Sequence, residues 1–192
     1  MELVFATHNE NKVIEIKNLI HDNIKILSLS DIGFKDEIIE YGKSLYENSI
    51  IKAKYIKSNY GMNCFADDTG LEVHSLNNEP GIFSSRYSGY PISTNNNIKK
   101  LLNNLSVFSD KSARFRTVIS LIINENIYSF EGVINGKIID KIKGERGFGY
   151  DPIFIPDGYK KTFAELSLEE KNSISHRYIA INKMIRFLKK NY

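Results

Sequence analysis

The chain has 192 residues, of which 42% are hydrophobic and 26% charged, and its formal net charge is only +3. This composition excludes a disordered chain, and the length favours one domain or two closely packed lobes. Basic and acidic residues are interspersed, which argues against a nucleic-acid partner, and no apolar run approaches the roughly 20 residues that cross a bilayer. We therefore expect a soluble, cytoplasmic protein with no secretory signal and no membrane partner.

Cysteine and histidine usage points away from thiol and zinc chemistry. Cys64 is the only cysteine, which excludes an internal disulfide and fits a reducing compartment. It lies in an apolar segment without an adjacent base, so we expect a buried core thiol. The histidines lack zinc-ligand spacing, and we expect His21 at the surface and His74 in a strand.

The N-terminal part predicts strands that alternate with helices. Leu3 to Ala6 is a continuous apolar run, typical of a strand buried on both faces. A helix capped by Thr7 or Asn9 follows, because three apolar residues recur at helical spacing: Val13, Ile16 and Ile20. Ile24 to Leu29 is interpreted as a second strand.

A second helix begins at Ser44 to Glu47, which has the sequence of a capping box, and Gly61 ends it. Its inner face is predicted from four residues at helical spacing: Leu45, Ser49, Ala53 and Ile56. Met62 to Ala66 is the next strand, which ends at the acidic turn Asp67 to Gly70. A strand pattern resumes at Leu71, and a third helix is predicted from Ile98, Leu101, Leu102 and Leu105.

The middle of the chain changes to strand periodicity. Hydrophobic residues alternate from Ala113 to Ile123, as in a half-buried strand. Asn124 to Asn126 turns the chain, and Ile127 to Val133 returns. Asn135-Gly136 is a strong turn signal, so this part is interpreted as an antiparallel meander.

The C-terminal part contains a glycine-rich loop, Gly144 to Asp151, and a final helix that starts near Ser173 or Ser175. The buried face of that helix is predicted from four residues: Ile179, Ala180, Met184 and Phe187. Strand–helix alternation, an antiparallel part and a closing helix together predict an α/β protein.

Thr7 to Lys12 is a candidate phosphate-binding segment. It follows a buried strand and opens a helix, so its free backbone amides can bind an anion, and Lys12 adds a positive charge. A lysine in the first helical turn opposes the helix dipole unless a phosphate is bound there. An ordinary capped helix with a surface lysine fits the same pattern, and the glycines of a Walker loop are absent.

Asp67 and Asp68 are adjacent carboxylates at the predicted strand end. A hard divalent cation would relieve their mutual repulsion, and Thr69 can donate to a phosphate oxygen. Glu40 is a third candidate carboxylate. An acidic turn without a metal, with Glu40 in a solvated loop, is the alternative.

Two C-terminal segments suit the rest of a nucleotide. Phe148 and Tyr150 can offer a flat face to a base, while Asp151 can accept from a ring N–H or hold the loop. Three potential cations suit phosphate or a carbonyl-rich base: Lys171, His176 and Arg177. The alternatives are loop aromatics packed in the core and an ordinary surface histidine.

Six segments in this order resemble the Ham1/inosine triphosphate pyrophosphatase family. They are Ala6 to Lys12, Glu47 to Ser49, Ala66 to Leu71, Pro80 to Tyr87, Gly147 to Pro152 and Glu170 to Arg177. The resemblance implies an elongated mixed sheet with flanking helices, in one domain (1–192) of two lobes around a nucleotide-binding cleft, and a homodimer. It implies Mg²⁺-dependent cleavage of purine nucleoside triphosphates (ITP, dITP and XTP) to the monophosphate and pyrophosphate.

The resemblance also implies residue roles by motif match. Substrate contacts are implied for Thr7, His8, Asn9, Glu10, Asn11, Lys12, Thr69, Phe148, Gly149, Tyr150, Asp151, Lys171, His176 and Arg177. Metal ligands are implied for Glu40, Asp67 and Asp68, with Asp68 as catalytic base and Lys12 as catalytic cation. The chain departs from the family at His8, which replaces a common glycine, and at Thr69, where many bacterial members have serine.

Two other functions fit the same residues. One is a related nucleotidase acting on modified pyrimidines or on the ordinary dNTPs, and the other is a nucleotide- or RNA-binding module without turnover. As donors, His176 and Arg177 favour the 6-oxo group of hypoxanthine or xanthine over the 6-amino group of adenine. Guanine has a 6-oxo group too, so the group at position 6 does not distinguish GTP from ITP or XTP.

Overall fold

The structure is a computed structural model, and it describes residues 1–20 and 24–192. Over these residues the strands are β1 Glu2–Phe5, β2 Lys25–Leu27, β3 Cys64–Val73, β4 Glu79–Pro80, β5 Ser112–Ile123, β6 Asn126–Ile138 and β7 Phe154–Pro156. The helices are α1 Glu10–Leu19, α2 Leu45–Tyr60, α3 Thr94–Leu105, α4 Leu168–Ile174 and α5 His176–Asn191. The expectation for His21 lies outside the described residues.

The strands form one mixed sheet, in the order β2-β1-β3-β5-β6-β7, with β4 paired to β3. β1 pairs in parallel with both β2 and β3, whereas β3–β4 and β6–β7 are antiparallel. The predicted mixed α/β fold is therefore confirmed. No helix in the described ranges has the length and apolar character to span a bilayer.

The chain divides into two compact units. Unit 1 comprises Met1–Asp68, Thr117–Gly132 and Arg177–Tyr192, and unit 2 comprises Thr69–Arg116 and Val133–His176. The three long strands β3, β5 and β6 contribute residues to both units.

Unit 1 has a core on each face of its part of the sheet. On one face the apolar residues of α1 and α5 pack against Leu3, Phe5 and Phe65. On the other face α2 packs through Ala53 and Ile56 against strand residues that include Cys64 and Ala66. The side chains of a strand alternate between faces, so successive residues of β1 and β3 supply both cores. Unit 2 has a single core, formed around α3 and the aromatic residues Phe115, Phe154 and Phe163.

Local sequence explains where the first helices begin and end. The Asn9 side chain caps α1 by accepting from the N–H of Lys12. Ser44 caps α2 by accepting from the N–H of Glu47, and Gly61 ends α2 in the left-handed region at φ 66°. The predicted inner face of α2 is buried as expected.

β3 corrects the prediction of a strand that ends before an acidic turn. The strand continues through all four residues of the supposed turn to Val73. Gly70 permits this course, since a Cβ there would lie 2.5 Å from the carbonyl oxygen of Gly81. The acidic pair therefore lies in the middle of a buried strand.

Asn135-Gly136 is not a turn. Both residues lie within β6, where Gly136 pairs with Pro156 of β7, and a Cβ on Gly136 would overlap the Ile155 carbonyl oxygen. The glycine is needed for close approach between strands. β5 also differs from its half-buried prediction, because every residue from Thr117 to Ile123 is buried.

The C-terminal helix begins at His176. Ser173 belongs to the separate short helix α4, and Ser175 lies between the two helices. Of the predicted inner face of α5, Ala180 and Met184 are buried, whereas Ile179 and Phe187 are only partly buried. His74 also departs from prediction, since it begins a short 3-10 turn directly after β3.

Candidate active site

Asp67 and Asp68 occupy successive positions of β3, and their side chains meet different helices. Successive strand residues point to opposite faces of a sheet. Asp67 contacts Lys12 of α1 and Arg177 of α5, while Asp68 contacts Asn48 and Lys52 of α2. The two carboxylates therefore serve two different clusters within unit 1.

The Asp67 cluster is a buried line of alternating charges. The Lys12 ammonium lies 3.0 Å from Asp67 Oδ1, and the Arg177 Nε lies 3.5 Å from Oδ2. The Arg177 guanidinium also pairs with Glu15 and is only 1% exposed. Burial alone would raise the pKa of Asp67, but Lys12 and Arg177 outweigh it and hold that pKa below its usual range. Asp67 is thus an anion at neutral pH that holds two cations.

The Asp68 cluster lies on the α2 side. Asn48 Nδ2 donates to Asp68 Oδ2 at 3.1 Å, and Lys52 Nζ lies 3.8 Å from Oδ1. The same ammonium lies 2.5 Å from Oε1 of Glu40, which places Lys52 between the two carboxylates. Burial raises the pKa of Asp68 above its usual value, although Lys52 and Lys12 oppose the shift. Such a carboxylate is a stronger base than an exposed aspartate.

The carboxylates of the α2 side fit a divalent cation, and Asp67 fits one less well. Glu40 and Asp68 are paired with one shared cation, the Lys52 ammonium, so a positive charge is already accommodated between their oxygens. Both oxygens of Asp67 face cationic side chains. Among the described residues no group of three or more acidic, His or Cys side chains is gathered for a metal.

The Thr7-to-Lys12 segment has the expected strand-to-helix geometry. The Thr7 hydroxyl accepts from the N–H of Asn9 at 3.2 Å, and the Asn9 side chain is the helix cap. His8, Glu10 and Asn11 are exposed. The departure at His8 is accommodated outside the left-handed region, with Nε2 bonded to the Asp36 carbonyl at 2.7 Å and the ring stacked on Phe34.

Three of the predicted nucleotide contacts come together in unit 2. Lys171 Nζ lies 2.7 Å from Asp151 Oδ2, with both side chains buried, and the same oxygen accepts from the N–H of Phe148 at 2.8 Å. The ammonium also lies 5.0 Å from the centre of the Phe148 ring. Asp151 therefore holds the glycine-rich loop, where Gly147 adopts φ 74° and Gly149 adopts φ 62°.

Tyr150 and His176 are buried in the unit 2 core. The Tyr150 hydroxyl donates to the Ser84 carbonyl at 3.0 Å, and burial raises the pKa of this phenol. The His176 ring stacks on Phe115 with centres 4.8 Å apart. The alternative of core aromatics thus describes Tyr150, and the surface alternative for His176 is wrong. Thr69 directly follows Asp68 in β3 and is the first residue of unit 2. Its side chain is partly buried.

The sequence analysis gave no role to three buried polar residues that complete the clusters: Glu15, Asn48 and Lys52. A signal for the last two was present. With the predicted apolar positions of α2 they share one helical face, and a polar residue on an apolar face has a structural or functional cause.

The fold and site define a mixed α/β protein with buried carboxylate–cation clusters beside a helix N-terminus. The chain belongs to the Ham1 family, whose model matches residues 3–187.

Named relatives and solved structures match this chain over nearly its full length. A protein of Christiangramia forsetii named dITP/XTP pyrophosphatase is 50% identical over 190 residues, covering 99% of this chain and 100% of the relative. A protein of the same name from Flavobacterium psychrophilum is 50% identical over 189 residues, covering 98% of this chain and 100% of the relative. The structure of a HAM1 protein from Coxiella burnetii matches with a TM-score of 0.92 at 39% identity, covering 99% of each chain. The structure of the Staphylococcus aureus Ham1 protein matches with a TM-score of 0.91 at 39% sequence identity, covering 100% of each chain.

Proposed function

We propose that this protein hydrolyses deaminated purine nucleoside triphosphates, namely dITP, ITP and XTP, to the monophosphate and pyrophosphate, with Mg²⁺ as cofactor. The observation that carries the proposal is that the adjacent carboxylates Asp67 and Asp68 contact different sets of side chains. One carboxylate holds the lysine of a phosphate-binding helix start, and its neighbour has a raised pKa beside a second lysine and a second carboxylate. Relatives that share half of this sequence are named dITP/XTP pyrophosphatase.

The triphosphate is assigned to the cationic groups of unit 1. The dipole of α1 favours an anion at its N-terminus, and Lys12 adds a charge that its ion pair with Asp67 holds in place. Lys52 is a second ammonium group in the same unit, between Glu40 and Asp68. Arg177 is assigned a supporting role, since its guanidinium is buried against Asp67 and Glu15.

The metal is assigned to Glu40 and Asp68. These oxygens suit a hard divalent cation, while Asp67 is retained as the counter-ion of Lys12 and Arg177. When bound, Mg²⁺ would neutralise phosphate charge and lower the pKa of an attacking water.

Hydrolysis is assigned to attack of water at the α-phosphorus. Asp68 is assigned to take the proton of the attacking water, and a bound Mg²⁺ would ease this transfer by lowering the pKa of that water. Lys12 and Lys52 stabilise the negative charge that develops on the phosphate oxygens and on the leaving pyrophosphate. Buried lysines serve this purpose well because the surroundings exclude water and strengthen the interaction.

Purine contacts are proposed for Phe148 and Lys171 from their own surroundings. The partly buried Phe148 offers a ring face, and the Lys171 ammonium offers N–H donors that match a 6-oxo group. Asp151 orders both by accepting from each of them.

A substrate panel tests the proposal. Purified protein with Mg²⁺ is given dITP, XTP, dATP, dGTP and a modified pyrimidine triphosphate, and the products are separated by anion exchange. Pyrophosphate and dIMP from dITP, with little turnover of dATP, are expected. Release of orthophosphate and dIDP, or preferred turnover of a pyrimidine, would refute the assignment.

The homodimer implied by the resemblance and the cytoplasmic location expected from the composition are also part of the proposal. Light scattering coupled to gel filtration tests the first, with twice the chain mass of 22.0 kDa expected.

A further inference from the structure

Asn48 makes two hydrogen bonds that link Asp68 to the chain segment carrying Glu40. Its side-chain amide is fully buried, on the inner face of α2. Nδ2 donates to Asp68 Oδ2 at 3.1 Å, and Oδ1 accepts from the N–H of Gly42 at 2.9 Å. Gly42 lies two residues after Glu40, so the amide connects Asp68 to the segment that carries Glu40.

We propose that Asn48 is a positioning residue that holds Asp68 and Glu40 in the arrangement that binds the divalent cation. This inference rests on the proposed function, because it needs a cation at these two carboxylates. Asn48 itself contacts neither the cation nor the reacting atoms.

The two partners of Asn48 fix the orientation of its amide. A carboxylate only accepts hydrogen bonds and a backbone N–H only donates. If the amide were reversed, its oxygen would face Asp68 and its NH₂ would face the Gly42 N–H, and both contacts would be repulsive. A buried amide cannot exchange these bonds for water without cost. The orientation of the Asn48 amide is therefore set by Asp68 on one side and by the Gly42 N–H on the other.

The close approach of the loop supports the same conclusion. A Cβ on Gly42 would lie 2.6 Å from Asn48 Oδ1 and 2.7 Å from the Glu47 Cβ. A residue with a side chain therefore cannot replace Gly42 without moving the segment away from α2. The segment is anchored to α2 at two successive residues, because the Gly42 N–H donates to Asn48 Oδ1 and the Lys43 N–H donates to Glu47 Oε2 at 2.7 Å.

The neutral amide has an advantage over the nearby lysine. Lys52 also joins Glu40 and Asp68, but it does so with a full positive charge, whereas Asn48 is neutral. Asn48 uses only one lone pair of Asp68 Oδ2 and adds no charge, so its bond to Asp68 is compatible with a bound cation. Partners of this kind around metal ligands typically account for ~10- to 100-fold in metal affinity.

Three variants test the inference. Asn48→Ala removes both hydrogen bonds, Asn48→Leu removes them while filling the space, and Gly42→Ala displaces the loop without changing α2. The matched control is Ser49→Ala, the next residue of α2, which is also buried and whose hydroxyl bonds the Tyr46 carbonyl and Ser120. Mn²⁺ binding is measured by electron paramagnetic resonance without nucleotide, and steady-state kinetics are measured with dITP at varied Mg²⁺.

The three variants are expected to bind Mn²⁺ ~10- to 100-fold more weakly and to need correspondingly more Mg²⁺, while KM for dITP at saturating Mg²⁺ stays near that of wild type. The Ser49→Ala control is expected to match wild type in all three quantities. Wild-type Mn²⁺ affinity in Asn48→Leu or in Gly42→Ala would overturn the inference. If wild-type protein binds Mn²⁺ but does not hydrolyse dITP, the proposed function fails instead.

Discussion

Asp67 and Asp68 are adjacent in the sequence, yet their carboxylates take part in different networks. Asp67 accepts from Lys12 at 3.0 Å and lies against Arg177, whereas Asp68 accepts from Asn48 at 3.1 Å. This arrangement follows from the alternation of a strand. It divides an acidic pair into a carboxylate that holds cations and a carboxylate available for chemistry.

The first prediction concerns the stability supplied by Asp67. Asp67→Asn leaves the buried cations of Lys12 and Arg177 without their shared counter-ion, and breaking a buried ion pair costs about 3–5 kcal/mol. Urea denaturation measures this loss. Asp140→Asn is the control, since its ion pair with Lys111 is at the surface and contributes about 0–1 kcal/mol. Equal stability of the two variants would contradict the assignment of Asp67.

The second prediction gives the pH dependence of that stability. The folded-state pKa of Asp67 lies below the unfolded value of 3.8. The unfolded chain therefore takes up the proton first, so the stabilisation is present above about pH 4 and is lost as the pH falls further. Asp67→Asn should show a shallower acid dependence of the free energy of unfolding than wild type. Parallel curves for the two proteins would show that Asp67 is not ion-paired.

The third prediction tests Lys52, which the sequence did not identify. Lys52→Met removes an ammonium that lies between Glu40 and Asp68, and loss of one such preorganised group lowers kcat by ~10²–10³-fold. Lys57→Met is the matched control on the same helix, since its ammonium bonds the Gly61 carbonyl instead. Steady-state kinetics with dITP measure both. Similar kcat values would remove Lys52 from the site.

The fourth prediction concerns Cys64. Burial raises the pKa of this thiol to about 12, with a smaller opposing effect of Lys57, and the thiol donates to the Ala53 carbonyl. The thiolate is the reactive form, so iodoacetamide at pH 8 should leave the native protein unmodified and should label it only in denaturant. Mass spectrometry after alkylation measures this. Rapid labelling of native protein would contradict a core thiol.

The fifth prediction separates backbone strain from a specific clash in unit 2. Gly147 and Gly158 have similar left-handed backbones, at φ 74° and 82°. A Cβ at Gly147 would overlap the Asp151 carboxylate, whereas a Cβ at Gly158 meets nothing within 4 Å. Gly147→Ala should therefore raise KM for dITP, while Gly158→Ala costs stability alone, about 1–2 kcal/mol. Equal KM values would remove Asp151 from substrate binding.

The sequence predicted the buried face of α2, including Ser49, but it did not predict Asn48 and Lys52 on that face. Asn48 and Lys52 lie at the same helical spacing as Leu45 and Ala53, so their burial follows from periodicity. Their partners do not, because Asp68 lies 20 residues from Asn48 and on a strand that appeared to end before it. The predicted strand ended at the charged residues because a buried charge needs a neutralising partner. Those partners come from helices that are distant in the sequence.

The turn predicted at Asn135-Gly136 is wrong for a related reason. The dipeptide favours a hairpin when only local geometry is considered. Here Gly136 lies within β6 because β7 approaches too closely for any side chain. Close contact between strands is a tertiary property, and a local pattern does not contain it.

The most direct test of the account is hydrolysis of dITP in water enriched in ¹⁸O, with Mg²⁺, followed by mass analysis of both products. Attack at the α-phosphorus predicts one ¹⁸O atom in dIMP and none in pyrophosphate, with no turnover by Asp68→Asn. Label in pyrophosphate, or in released orthophosphate, would contradict the account.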